Sequence, residues 1–292
     1  MERSRLYKVM ESRQAVCALL TIALFVTTGC EKQGAMKQQA PETQNNASQE
    51  KQPAKIATEM VLIPAGAFQM GSNDGAPDEQ PVHSVGLDAF YMDRHEVTVG
   101  QYKQFLRATA QPAPDWGEVV QYSATDQHPM VYVSWYDAMA YAKWAGKTLP
   151  TEAQWEYAAR GGLEGQTYPW GNGSPDKIRA NYDDAGIGKT TLVGSYSQNG
   201  YGLHDMAGNV WEWCIDEYVA DFYKTGPKKN PVSGGPISLL DDSFKDVKTR
   251  RVVRGGGWDA ASRRLRVGYR DGNGPRGKVD SVGFRCVRPA MP

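Results

Sequence analysis

The sequence lacks an excess of either charge, a long apolar run, an internal repeat and a generous supply of cysteine. Its 292 residues carry 33 basic and 33 acidic side chains, for a formal net charge of zero. That balance argues against a nucleic-acid partner, because such binders show a basic excess or stripe. Lysine and arginine do gather at 248–270, but acidic residues interrupt them, as in a solvated or pocket-lining segment. The apolar run at 15–26 is shorter than the ~20 residues needed to cross a bilayer. The four histidines, His83, His95, His128 and His204, are scattered and show no metal-ligand spacing, so each reads as structural or surface. No Ser-His-Asp order, phosphate-cradling glycine loop or paired-carboxylate signature stands out. What is plentiful is glycine and tryptophan, with 31 and 8 copies. Glycine permits tight turns and tryptophan supplies large buried area, which together point to a loop-rich domain pinned by aromatics.

The N-terminus reads as an export signal. Arg3, Arg5, Lys8 and Arg13 precede the apolar run, and Thr27-Thr28-Gly29-Cys30 follows it. A positive region, a short apolar region and small residues before a cut site are the parts of a signal peptide. Small residues before Cys30 and a polar tail after it resemble the bacterial lipobox. The expectation is a signal peptide over 1–29, a lipid on Cys30, and a periplasm-facing protein of the cell envelope. Because Glu31, not Asp, follows the cysteine, the outer membrane is favoured over the inner. Residues 30–57 are rich in Gln, Asn, Lys, Glu and Pro. They have too little to bury to offset their ordering entropy, so they are expected to form a disordered tether. Residues 58–292 are expected to form one domain.

Within that domain, 60–66 reads as a strand closed by a turn, continuing through Phe68 and Met70 as a hairpin. A strand is expected over 82–92. Three helix starts carry the capping-box pattern, Thr98 with Gln101, Ser134 with Asp137, and Thr151 with Gln154. Gly146 and Gly161 are placed to stop the second and third. Further strands are expected at 210–215, 252–254 and 283–287, with a long loop at 220–250. The fold class is therefore α+β with little regular structure.

Several segments resemble the formylglycine-generating enzyme (sulfatase-modifying factor) family: MVLIPAGAFQMGS (60–72), DEQPVHSVGLDAFYMDRHEVTVGQY (78–102), HPMVYVSWYDAMAYAKWAGKTLPTEAQWEYAARGG (128–162), YPWGN (168–172), NGYGLHDMAGNVWEW (199–213), RVVRGGGW (251–258) and GFRC (283–286). The resemblance runs through essentially all of 58–288 and implies a variant of the C-type-lectin fold. It implies structural calcium, with side-chain oxygens from Asp205 and Glu212 and carbonyls from Gly208 and Val210, a mixture suited to a hard cation. A second site would use Asn181, the Tyr182 carbonyl and Asp184. The role expected of calcium is to brace irregular backbone. Without it, Asp205 and Glu212 would simply cap turns.

The same resemblance exposes a departure. Members that generate formylglycine bind copper through two cysteines after the GGS-aromatic motif, and soft thiolates suit that metal. Here Ala260 stands at the first position, and the second falls near Ser262. Neither residue replaces a thiolate, so copper and formylglycine formation by that mechanism are not expected. The family pairs its cysteine at the Cys286 position with one that is Ala159 here. Cys214 and Cys286 either form a replacement bridge or stay as two buried thiols. The segment 258–270 still frames the family's substrate groove, and Trp258, Ser262, Arg264, Arg266 and Tyr269 are its candidate ligand residues. Arginine forks suit carboxylates and aromatic faces stack on rings or sugars. Two functions remain: an accessory module binding a protein or glycan partner during maturation of another envelope protein, or an oxidoreductase acting on a protein or secreted metabolite by chemistry without cysteine.

Overall fold

The computed structural model describes residues 58–235 and 243–290. The expected signal peptide, Cys30 and the tether lie outside the described residues, as does part of the 220–250 loop.

The described helices are α1 (Val99–Thr109), α2 (Trp116–Tyr122), α3 (Trp135–Ala145), α4 (Glu152–Arg160) and the single turn α5 (Phe222–Thr225). All three expected capping boxes form. The Thr98, Ser134 and Thr151 hydroxyls accept the backbone N–H three residues on, and Gln101, Asp137 and Gln154 reach back to the cap N–H. Each reciprocal pair satisfies two backbone donors that a helix start would otherwise leave open. Gly146 and Gly161 close α3 and α4 in the left-handed conformation. Helix α2 was not expected, although Asp115 caps it through the Gly117 and Glu118 N–H groups.

The strands are β1 (Met60–Ile63), β2 (Gly66–Met70), β3 (His83–Leu87), β4 (Phe90–Asp93), β5 (Trp211–Glu217), β6 (Arg251–Arg254), β7 (Asp271–Asn273), β8 (Val282–Gly283) and β9 (Val287–Pro289). The expected hairpin at 60–70 is corrected. Strand β1 pairs with β4 and β2 with β3, so that Ile63 faces Phe90 and Gly66 faces Leu87. The turn residues Pro64-Ala65 are instead a kink in a long ribbon, opposite a matching break at Asp88-Ala89. Pro64 has no N–H to continue the ladder. The strand expected over 283–287 is also redrawn. Strand β8 runs parallel to β5, while β9 pairs with β4 in the sheet β1-β4-β9. Residues 284–286 cross between the two sheets.

Two apolar clusters fill the interior. One gathers Trp135, Tyr141, Trp213 and Phe284 around α1 and α3, and the other gathers Phe68, Met92 and Trp155 around the ribbon and α4. The three fully buried indoles all donate, Trp135 to the Cys214 carbonyl, Trp213 to the Val133 carbonyl and Trp155 to Glu212. Truncating such a side chain costs about 3–5 kcal/mol.

Cys214 belongs to the second cluster and Cys286 to the first. Both are free and buried, which decides between bridge and thiols in favour of thiols. After Gly283 the chain leaves β5 for β4, where the Cys286 N–H bonds Asp93. That divergence carries Cys286 away from the β5 cysteine.

Helix α4 also buries charge. Arg270 grips Glu152 through two nitrogens, at 2.6 and 2.8 Å. Arg254 reaches both Glu152 and Glu156, and Arg160 closes on Glu156. Burial pushes the Glu156 carboxyl up, but Arg160 and Arg254 outweigh it and hold the group below its ordinary value. This network ties α4 to β6 and to the end of the 255–270 loop.

Candidate functional site

Residues 205–212 leave a loop and enter β5. Asp205, Gly208 and Asn209 all have positive φ, at 58°, 87° and 65°. Gly208 is required here, because a Cβ would lie 2.3 Å from the Asn181 carbonyl oxygen. Asn209 is the hub. Its side chain donates to Glu96 at 2.9 Å and accepts from the Thr191 N–H, while its carbonyl takes the Trp258 N–H.

Glu212, an expected ligand, is already engaged by protein donors. Both its oxygens accept from Arg285, each at 2.7 Å, and Oε2 also accepts from Trp155. A carboxylate offers about four acceptor positions, so one remains. Arg285 is fully buried and needs a counterion, and Glu212 supplies it. Asp205 is different. Its Oδ2 accepts the Gly194 N–H at 2.6 Å, while its Oδ1 is buried without a partner. Glu96, a residue the sequence reading passed over, leaves Oε2 equally unmet. The two carboxyls are close enough to share a proton. Burial and then the Asp205 charge push Glu96 well above its ordinary value, and burial raises Asp205 against the pull of the Gly194 N–H. Buried carboxylate oxygens without a donor are costly, and either the shared proton or a hard cation would satisfy both. Asp205 and Glu96 are the carboxylate oxygens that a calcium ion here would use, and Gly208 shares the positive-φ turn with Asp205.

At the second expected site, Asn181 is fully buried and its Oδ1 has no partner. The Tyr182 carbonyl accepts the Ala185 N–H, and Asp184 is exposed on a short 3-10 turn. Among the described residues no group of three or more His, Cys, Asp or Glu side chains is arranged to hold a metal, so any cage here draws on carbonyls.

Arg266 is not free in the expected groove. Its guanidinium is closed bidentately on the buried Glu79, at 2.6 and 2.7 Å. Arg264 is half-buried and has no carboxylate partner among the described residues. The Trp258 ring stacks on Tyr122 with centroids 5.3 Å apart, and its N–H donates to the Asp280 carbonyl. Tyr269 leans on Trp211 at 6.0 Å. Tyr132, a second residue not singled out earlier, packs edge-on against Tyr122 and is held at φ 57°. Positive φ is rare for a bulky residue and marks sites whose surroundings fix an aromatic in place. Between these aromatics Ala260 is buried, its carbonyl accepting the Asp183 N–H. Ser262 opens a short 3-10 turn that carries Arg263 and Arg264.

Fold and site together define a mixed α+β scaffold of the formylglycine-generating type. The chain belongs to the sulfatase-modifying factor enzyme 1-like domain family, whose model matches residues 45–290. It is 35% identical over 297 residues to the formylglycine-generating enzyme of Thermomonospora curvata, covering 80% of this chain and 95% of that one. It is 40% identical over 256 residues to the serine/threonine-protein kinase pkn1 of Chlamydia pneumoniae, covering 82% of this chain but only 39% of the relative's length. Among solved structures, PvdO from Pseudomonas aeruginosa superposes with a TM-score of 0.66 at 29% identity, covering 80% of this chain and 95% of that one.

Proposed function

We propose that this protein is a lipid-anchored envelope lipoprotein, periplasm-facing, whose formylglycine-generating-enzyme-like domain binds a protein or glycan partner during maturation of another envelope protein. The observation that carries the reading is the filled catalytic position: Ala260 is packed into the core where the family's first cysteine would stand. The thiols that remain among the described residues, Cys214 and Cys286, are fully buried. Burial first, then neighbouring carboxylates, raises both well above the ordinary cysteine value. A raised thiol is a poor source of thiolate, so neither substitutes for the missing pair. Asp205 and Glu96 would hold calcium, which would brace the strained 205–210 turn. Through Asn209 that turn fixes the backbone of Trp258 and so the groove.

Capture from envelope fractions by the tagged full chain tests the reading, with mass spectrometry of what is retained. The expected result is one retained partner, lost in Arg264→Ala and in Trp258→Ala while both variants melt as the wild type does. Capture unaffected by either variant overturns the groove assignment. A partner or metabolite whose mass differs by an oxidation step between wild-type and deletion strains replaces the binding reading with the oxidoreductase one.

A further inference from the structure

A cavity of about 750 Å³ lies between α1 and α2, and none of the groove residues Trp258, Ser262, Arg264, Arg266 and Tyr269 lines it. Its volume falls within the roughly 300–1,000 Å³ of small-molecule sites. Val99 and Leu106 from α1 and Trp116, Val119 and Val120 from α2 give it an apolar wall. Val120 is 52% exposed, an aliphatic side chain left at the lip.

The charge on this cavity is one-sided. The charged residues that line it are Lys103 and Arg107, four apart on α1 and thus on one helix face. No carboxylate lines it. Lys103 bonds Asp126 at 2.7 Å and lies 5.2 Å above the Trp116 ring. Arg107 is exposed and has no carboxylate partner among the described residues.

The walls are held in place independently of any ligand. Ala110, at φ 51°, turns the chain out of α1. Asp115 caps α2 through the Gly117 N–H at 2.7 Å. The buried Ser123 hydroxyl fastens the far end of α2 to the Pro129 carbonyl, also at 2.7 Å. A preformed site spares a ligand the cost of ordering it.

We propose that this cavity binds a fatty carboxylate, with the acyl chain against the apolar wall and the carboxylate at Arg107 and Lys103. Apolar burial supplies the affinity, and the planar guanidinium fork matches a carboxylate bidentately. A cationic amphiphile of equal chain length would meet the uncompensated like charge of Arg107. The proposal does not depend on the groove or on the function argued above.

Calorimetric titration of the full chain carrying Cys30→Ser, which removes any covalent acyl group, tests it. The probes are laurate, dodecanol and dodecylammonium, each below its micelle-forming concentration. Laurate is expected to bind saturably at one site, about fivefold or more tighter than dodecylammonium. Arg107→Glu should weaken laurate by about fivefold, the scale of an exposed charge contact. Val120→Glu should abolish binding, and both substitutions sit at exposed positions where the melting temperature should hold. Equal binding of the three amphiphiles, no saturable laurate binding, or unchanged affinity in both variants overturns the proposal. A fall in oligomer mass on Val120→Glu without laurate gives the cavity to a second copy of the chain and equally overturns it.

Discussion

Two buried charge clusters lie close together in this domain and behave in opposite ways. Around α4, Glu152 and Glu156 are met by Arg254, Arg270 and Arg160, so each carboxylate is closed on guanidinium. Around residue 205, Glu212 is closed on Arg285, but Asp205 Oδ1 and Glu96 Oε2 meet no N–H donor, and the two carboxyls are left to share a proton with each other. The first cluster is scaffold, since guanidinium groups already close on both its carboxylates. The second leaves two carboxyls without a cationic partner beside a turn of positive φ, and it is on these acceptors that the proposed calcium would act. The same contrast separates the arginines of the 255–270 loop. Arg266 is locked to Glu79, whereas Arg264 has no carboxylate partner among the described residues.

Breaking the closed cluster should give the largest effect. Glu156→Gln or Arg254→Met leaves a buried charge uncompensated, and urea unfolding should show a loss of about 3–5 kcal/mol, enough to unfold a marginal domain. Opening the second cluster should matter less. Chelation is expected to lower the wild-type melting temperature, with calcium at about a hundredfold over its Kd worth about 2.7 kcal/mol. Asp205→Asn with Glu96→Gln should make melting insensitive to both chelator and added calcium. A wild-type melting curve indifferent to chelator removes calcium from the account. Next, Arg266→Ala should cost about 1–3 kcal/mol by stranding Glu79 while leaving partner capture intact. Arg264→Ala should do the reverse, with a stability change within about 0.5 kcal/mol and capture lost.

A further effect concerns pH. His95 stacks on His204 at 4.9 Å. Burial, then the charges of His204 and Arg285, lower its pKa from 6.5 to about 4. A depressed histidine favours the neutral ring in the folded state, so its contribution is full above about pH 6.5 and is lost as pH falls through about 4. Melting temperature measured across that window should fall more steeply in the wild type than in His95→Phe. Parallel slopes would remove His95 as a source of acid sensitivity.

Local signals in the sequence were reliable where a few neighbouring residues decide the structure. Thr98, Ser134 and Thr151 each carry their own capping partner three residues on, so all three helix starts were legible. The strand at 60–70 was legible as extended chain but not in its pairing. Whether Pro64-Ala65 turns or merely kinks depends on the partner at Asp88-Ala89, far along the chain. Helix α2 had a readable start in Asp115 but was overlooked beside a proline-rich loop. The candidate site was legible only through family resemblance, and that resemblance assigned Glu212 and Arg266 without their counterions. Glu96, Glu79 and Arg285 carry no sequence mark of burial, because it is tertiary packing that encloses them. Tyr132 was hidden for the same reason, since its N–H is taken by the carbonyl of Val279, far along the chain.

The domain keeps the formylglycine-generating scaffold, and the central claim of the proposed function is that it does not form formylglycine by the cysteine mechanism. Its most direct test is to incubate the full chain, with copper, oxygen and reductant, with a peptide that the formylglycine-generating enzymes convert, and to read the peptide's mass. The account predicts an unchanged peptide under conditions in which an active relative converts it completely. Formylglycine in the product would contradict it and would mean that chemistry at Ala260 and its neighbours proceeds without the cysteine pair.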